Sequence, residues 1–245
     1  MLGEGLYLKV REALRYKGLS LHWKFFCTLR RVMPIRRDFG FSAGRPIDRY
    51  YVEHFFLSSH SSDIRGRVLE IGDRSYTSRF GEGRVLQSDV LHVKPGNPVA
   101  TIVADLTCAN QVQSATFDCV ILTFTLQYIY DVRAAIRTLY RVLRPGGVIL
   151  AAFPGISQIS RYDMDQYGEY WRFTTLSAHK LFSEFFPSHA VKTQAYGNVL
   201  TTLAFLHGLA AEELSREELD YHDPDYEQVI SVRAVKPGKN EGTSN

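Results

Sequence analysis

The stretch Val68-Leu69-Glu70-Ile71-Gly72-Asp73 decides the fold of this 245-residue chain. Its apolar residues are typical of a buried strand, and the strand ends in an acidic residue and a glycine turn. Asp89 follows nineteen residues after Glu70, at the end of the next short apolar run. In a doubly wound sheet, this spacing predicts a nucleoside site: the glycine turn lets the backbone approach the ligand, and the later carboxylate accepts hydrogen bonds from ribose hydroxyls.

The sequence around this stretch alternates short apolar runs with helical segments. The clearest predicted helix covers residues 131–143, where Asp131 can cap the first turn and Pro145-Gly146-Gly147 stops the last one. Apolar runs predict strands at residues 67–71, 84–87, 101–103, 117–123, 148–153, 189–195 and 227–235. The order predicts an α/β protein with a Rossmann-like, doubly wound, mostly parallel seven-stranded sheet and an antiparallel last strand. Its ligand crevice is expected at the carboxyl ends of the strands.

Composition excludes several classes of protein. The chain is 45% hydrophobic and 22% charged, which excludes a disordered or collagen-like chain. Its three scattered cysteines favour neither a disulfide framework nor a zinc site, so we expect a reduced, cytoplasmic setting. We expect a basic helical extension at residues 1–45, one catalytic domain at 46–236 and a flexible tail at 237–245.

The net charge of +3 is unevenly distributed, because residues 1–37 hold nine Lys and Arg against two Glu and leave residues 38–245 with a net charge of −4. Three roles remain open for the basic segment. Trp23, Phe25 and Phe26 among cations suit a peripheral membrane contact. A nucleic-acid arm is a second role, but no recognition motif supports it, and we expect no nucleic-acid partner. The third role is a cap over the active site or a homodimer contact.

Missing glycines narrow the choice of nucleoside ligand. A dinucleotide fold needs Gly-x-Gly-x-x-Gly and a phosphate-binding loop needs Gly-Lys-Ser/Thr, and this chain has neither. Over roughly residues 46–235, it resembles the class I S-adenosylmethionine-dependent methyltransferases. The resemblance rests on the segments VLEIG, SDV, ADL, FDCVILTFTLQYIYD and RVLRPGGVILAAFPG. More narrowly, residues 163–174 and Gly197-Asn198-Val199 resemble a methyltransferase type 11-like, bacterial subgroup associated with glycan or secondary-metabolite biosynthesis.

The resemblance implies that S-adenosyl-L-methionine is the cofactor and assigns its contacts. Asp89 would hold the ribose hydroxyls, so Asp89→Ala should weaken cofactor binding by about 1–3 kcal/mol. Arg49, Tyr50 or Tyr51, just before the first strand, could bind the cofactor carboxylate. The expected cofactor residues are Tyr50, Glu70, Gly72, Asp73, Asp89, Asp105, Leu106 and Thr123.

The acceptor site is expected after the fifth strand, at Asp163, Asp165 and Tyr170, where an aspartate could serve as a base. The leading hypothesis is O-methylation of a small-molecule or glycan acceptor, with N-methylation as an alternative. A catalytically inactive methyltransferase-like scaffold is the other alternative, because Arg74 and Tyr76 stand where the family usually has glycines. That alternative predicts an occluded cofactor pocket. We expect no metal, because the segment after the fourth strand lacks a carboxylate cluster.

Overall fold

The central sheet contains seven strands, in the computed structural model that describes residues 31–238. Its order is β3-β2-β1-β4-β5-β7-β6, and β7 runs antiparallel to both of its neighbours. This confirms the predicted fold class. The strands are β1 (Gly66–Ile71), β2 (Val85–His92), β3 (Ile102–Val103), β4 (Phe117–Thr123), β5 (Leu143–Pro154), β6 (Val191–Tyr196) and β7 (Val229–Val235).

Helices cover both faces of the sheet. They are α1 (Ile47–Tyr50), which continues as a π-helix (Tyr51–Leu57), then α2 (Ser75–Phe80), α3 (Val132–Val142), α4 (Arg161–Tyr167), α5 (Thr175–Ser183), α6 (Val199–Leu206) and α7 (Arg216–Asp220). Short 3-10 turns lie at Ser61–Asp63, Glu82–Arg84, Leu126–Tyr128, Ser188–Ala190 and Ala211–Glu213. Within residues 31–238, no helix is long and apolar enough to cross a membrane.

Strand β4 shows why the apolar runs lack polar alternation. Cys119 and Ile121 face the core formed with α1 and α6, whereas Val120 and Leu122 face the core formed with α3 and α5. All four side chains are fully buried. A parallel strand covered by helices on both faces has no solvent-facing side, so consecutive residues are apolar.

Helix α3 begins and ends close to the predicted residues. The Asp131 carboxylate accepts a hydrogen bond from the backbone N–H of Ala134 at 3.0 Å and caps the helix. Strand β5 then begins at Leu143, earlier than predicted, because the backbone of Gly146 and Gly147 pairs with Lys236 at the end of β7.

Three segments depart from the sequence expectations. Strand β2 extends to His92 instead of ending near residue 87, because it pairs with both β1 and β3. The sequence predicts a mostly helical stretch at residues 199–219, but this stretch is divided after α6, where Gly208 adopts a φ of +72°. Most of the predicted basic helices within residues 1–37 fall outside the described residues, and residues 31–45 adopt turns and extended backbone without a helix.

The segment that precedes α1 packs along α6. Arg36 forms an ion pair with Glu213 at 2.8 Å, and the ring of Phe39 lies 5.7 Å from that of Phe205 in α6. These contacts hold the segment across the carboxyl ends of the central strands. Phe41 therefore lines a cleft at that edge of the sheet.

Candidate functional site

A cleft of about 680 Å³ opens where β1 and β4 end, between the sheet and α1. This is the edge of the sheet at which open α/β folds bind their ligands. Helix α4 contributes one carboxylate to the cleft wall. The side chains that matter for the argument are Arg49, Glu70, Asp73, Thr123, Phe124 and Asp163.

Gly72 leaves open space beside its backbone. Its φ is +93°, and a Cβ added there would meet no atom within 4 Å. The backbone is held by a hydrogen bond from its N–H to the Leu91 carbonyl at 3.0 Å and by the Asn97 amide, which donates to the Gly72 carbonyl at 2.7 Å. A ligand can therefore approach a fixed backbone here, as the cofactor requires. The occluded pocket that an inactive scaffold predicts is not found at Gly72.

Glu70 fixes the turn that follows β1. Its two carboxylate oxygens accept hydrogen bonds from the backbone N–H groups of Tyr76 at 3.1 Å and Thr77 at 2.7 Å, in the first turn of α2. Burial raises the pKa of Glu70 to about 7. Asp73 shapes the same turn, because its carboxylate accepts hydrogen bonds from the N–H and hydroxyl of Ser75. Glu70 and Asp73 thus lie in the cleft, as expected from the sequence.

Arg49, and not Tyr50, faces the cleft. The Tyr50 hydroxyl donates to Asp220 in α7 at 2.6 Å, and its ring stacks on His54, so this side chain points away from the site. Arg49 donates to the Tyr76 hydroxyl at 3.2 Å and lines the cleft. The structure therefore corrects the expectation for Tyr50, because neighbouring residues of a helix point about 100° apart.

Asp89 also lies away from the cleft. It pairs with Leu69 in mid-strand, is 6% exposed, and accepts hydrogen bonds from Arg67 at 2.7 Å and Thr101 at 3.1 Å. This corrects the expectation that Asp89 holds the ribose. His92 is the last residue of β2 and adjoins the Gly72 turn. Sequence reasoning missed His92 because it ended the strand at residue 87.

The residues expected at the adenine lie after β3. The Asp105 carboxylate accepts two hydrogen bonds of 2.8 Å from Thr107 and is exposed, whereas the Leu106 side chain is buried in the core. Val103, the last residue of β3, pairs with His92. Asp105 therefore stands at the same edge of the sheet as His92, and its contact with adenine stays a prediction. The Leu106 side chain is not available for that contact.

Of the three expected acceptor-site residues, only Asp163 reaches the cleft. Its carboxylate accepts hydrogen bonds from the Tyr128 hydroxyl at 3.1 Å and the Ser160 hydroxyl at 2.6 Å. Asp165 is exposed and pairs with Arg161 one helical turn away. Tyr170 is 50% exposed and packs against another exposed tyrosine. The structure thus removes Asp165 and Tyr170 from the site, because both lie on the outer side of the segment after β5.

A second cavity, of about 170 Å³, adjoins the cleft. Phe124 stands at their boundary and has a φ of +47°, a backbone conformation that residues other than glycine seldom adopt and that clusters at active sites. Asp163 lines both spaces. Gln127 and Gln228 line the second cavity. The sequence analysis assigned neither glutamine a role, and no motif marks them.

The part of the chain from residue 31 to 238 contains no group of three or more His, Cys, Asp or Glu side chains placed to hold a metal ion.

Residues 81–151 match the family model described as a methyltransferase domain. No curated protein matches the sequence. The matched segment runs from the end of α2 to the middle of β5 and includes Asp105, Thr123 and Phe124.

Solved structures share the fold at low sequence identity. An S-adenosylmethionine-dependent methyltransferase from Mesorhizobium loti is 17% identical, with a TM-score of 0.51 over 74% of this chain and 95% of that one. A SAM-dependent methyltransferase from Archaeoglobus fulgidus is 12% identical, with a TM-score of 0.50 over 78% and 92%. The N-methyltransferase NodS from Bradyrhizobium japonicum, in complex with S-adenosylhomocysteine, is 15% identical, with a TM-score of 0.50 over 83% and 95%.

Proposed function

We propose that the chain is an S-adenosylmethionine-dependent methyltransferase, and that it methylates a hydroxyl group of a small-molecule or glycan acceptor. The observation that carries this proposal is the position of Asp163. Its carboxylate lines both the cofactor cleft and the second cavity, so it lies where a donor and an acceptor would meet.

Four groups of this chain would hold the cofactor. Arg49 would bind its carboxylate, the Gly72 backbone and the turn fixed by Glu70 would line its path, and Thr123 would lie beneath its sulfur. When bound, S-adenosylmethionine supplies a methyl group activated by the positive sulfonium. The protein therefore has two remaining tasks, which are to align the acceptor and to remove its proton.

Asp163 is placed for the second task. Its carboxylate would accept the proton of the acceptor hydroxyl as that oxygen takes the methyl group which the bound cofactor would supply. The hydroxyls of Tyr128 and Ser160 donate to one oxygen of that carboxylate and leave the other oxygen for the acceptor. A neutral amine attacks without prior loss of a proton, so a positioned base favours oxygen over nitrogen as the nucleophile.

Replacement of Asp163 tests this mechanism. We expect Asp163→Asn to lower the rate of methyl transfer by about 10²–10⁴-fold, the usual contribution of a general base. Binding of S-adenosylhomocysteine, measured by isothermal titration, should not change. Asp165→Asn is the matched control on the same helix and should retain full activity. Normal turnover by Asp163→Asn would favour N-methylation, which remains the second candidate.

Titration of the wild-type chain with S-adenosylhomocysteine separates enzyme from scaffold. Saturable binding supports the proposal. The absence of any heat of binding at millimolar concentration would leave only the inactive scaffold as an explanation.

We also propose membership of the bacterial subgroup associated with glycan or secondary-metabolite biosynthesis, to which residues 163–174 and Gly197-Asn198-Val199 are similar. Genomic neighbours that encode such pathways would support this.

We also propose that the enzyme works in the cytoplasm. Residues 1–37 suggest two further interactions, one with a membrane surface and one with a second subunit. Their cations and aromatic side chains suit contact with an anionic membrane surface, and their apolar positions suit contact with a second subunit. Sedimentation of the full chain with anionic but not zwitterionic vesicles would support the first contact. A dimer in analytical ultracentrifugation would support the second.

A further inference from the structure

The second cavity is enclosed by the segment before α1, the ends of β4 and β5, and the start of β7. Three aromatic side chains, Phe39, Phe41 and Phe205, form part of its wall. Its volume of about 170 Å³ suits a single small ring better than a polymer or a peptide segment. What distinguishes it is the polar chemistry on the remaining wall.

Two buried carboxamides in this wall have unpaired atoms. Gln228 is 1% exposed, and neither its oxygen nor its nitrogen has a hydrogen-bond partner among residues 31–238. Gln127 is 2% exposed, and its side-chain oxygen has no partner among the same residues. An unpaired buried polar group destabilises a fold. A ligand that paired with these atoms would account for their presence.

The fold holds Gln228 in place through its backbone. Its N–H donates to the Tyr196 carbonyl at 3.0 Å, and its carbonyl accepts from the Gly155 N–H at 2.9 Å. Gly197 makes room for it, because a Cβ on Gly197 would lie 2.7 Å from the Gln228 Cβ. The Gly197 φ of +124° also favours glycine. The side chain is therefore fixed by its surroundings, while its polar end stays unpaired.

The side chains that line the second cavity indicate the class of ligand that it can bind. A carboxamide presents a donor and an acceptor side by side, and two adjacent hydroxyls on a ring match this pair because each hydroxyl both donates and accepts. Glu169 is paired with Arg172 at 2.6 Å, and the two other carboxylates that line the cavity, from Asp48 and Asp163, outnumber its one guanidinium, from Arg49. Anionic ligands are therefore disfavoured. The aromatic rings suit the C–H faces of a saturated ring.

We propose that Gln228, with Gln127, binds a neutral cyclic polyol, such as one sugar ring, through adjacent hydroxyls. A further hydroxyl of the same ring would then face Asp163 and receive the methyl group. This inference rests on the proposed function, since it names the acceptor class of the same site. The inference predicts that neutral polyols are methylated and that sugar phosphates, uronic acids and phenols are not.

The first test needs no acceptor. Gln228→Leu keeps the volume of the side chain and removes both unpaired atoms, so its melting temperature should equal or exceed that of the wild type. Gln194→Leu, an exposed glutamine on the neighbouring strand β6, is the control. Both variants should bind S-adenosylhomocysteine like the wild type. A clear loss of thermal stability confined to Gln228→Leu would show that the side chain serves the fold, and would overturn the proposal.

The second test measures methyl transfer from radiolabelled S-adenosylmethionine. The acceptors are inositols and the methyl glycosides of neutral hexoses, 6-deoxyhexoses and N-acetylhexosamines, compared with uronic acids, sugar phosphates and simple phenols. We expect transfer to at least one neutral polyol, and Gln228→Leu should raise the KM for it by about tenfold or more. Gln194→Leu should leave that KM unchanged.

Two outcomes would overturn the proposal: transfer confined to anionic or phenolic acceptors, and no transfer to any neutral polyol by a protein that binds S-adenosylhomocysteine. A wild-type protein that binds no S-adenosylhomocysteine would contradict the proposed function instead, so the two failures are distinguishable.

Discussion

The guanidinium carbon of Arg49 lies 4.6 Å from the centre of the Phe124 ring, where the cleft meets the second cavity. The Tyr76 hydroxyl accepts a hydrogen bond from the same guanidinium at 3.2 Å. Tyr76 lines the cleft, and its side chain orients a cation toward the site. It thus fixes a positive charge at the cleft.

Arg49 is predicted to hold the carboxylate of the cofactor. Arg49→Met keeps an apolar chain over Phe124 and removes the charge, so the affinity for S-adenosylhomocysteine should fall about 10–100-fold, as for a lost charge-assisted bond. Isothermal titration measures this. Arg79→Met is the control, because Arg79 lines the same cleft but is 53% exposed and pairs with Glu53. An equal loss in both variants would indicate a general effect of charge and not a specific contact.

The open space at Gly72 makes a second prediction. Gly72→Ala should lower the affinity for S-adenosylhomocysteine about tenfold or more, because the added methyl would project into the cleft. Gly96→Ala is a matched control, since Gly96 has a similar φ of +102° and equally open surroundings, whereas Gly72 stands between two residues that line the cleft, Ile71 and Asp73. Both variants should lose about 1 kcal/mol of stability from backbone strain. Unchanged affinity in Gly72→Ala would place the cofactor elsewhere.

Asp89 is now predicted to act on stability. Asp89→Asn weakens the partly buried pair with Arg67, so the free energy of unfolding in urea should fall by about 1–3 kcal/mol. Cofactor affinity should stay the same. Loss of affinity at unchanged stability in Asp89→Asn would restore the ribose role to Asp89.

Glu70 is predicted to make stability depend on pH. Burial raises its pKa from the ordinary 4.5 to about 7, so between these values the folded protein holds a proton that the unfolded chain has released. The free energy of unfolding should therefore decrease as the pH rises from about 4.5 to 7, through this group's contribution. Urea unfolding at pH 5, 6, 7 and 8 measures the slope. Glu70→Gln should flatten it, and an unchanged slope in that variant would assign the dependence to other groups.

Much of the fold was predictable because its signals are local. The run at residues 117–123 coincides with β4, and Asp131 caps α3 as its position before an amphipathic run indicates. The positions of Gly72 and Glu70 in the sequence predicted where the cleft lies, because a glycine turn after a buried strand has few structural alternatives. Asp163 was found because it follows the fifth strand, at the edge where the ligands of such sheets bind.

The sequence by itself therefore determined the order of strands and helices, and it predicted the class of cofactor and the edge of the sheet where that cofactor would bind. Only the tertiary structure decided which side chains point there. Arg49 and Tyr50 are neighbours, and the packing of α1 turns one toward the cleft and the other toward α7. Strand β2 reaches His92 because two neighbouring strands pair with it, which leaves Asp89 in its interior. Gln228 and Gln127 line the same cavity although they are 101 positions apart in the sequence. Such contacts depend on partners distant in the chain, and local periodicity carries no information about them.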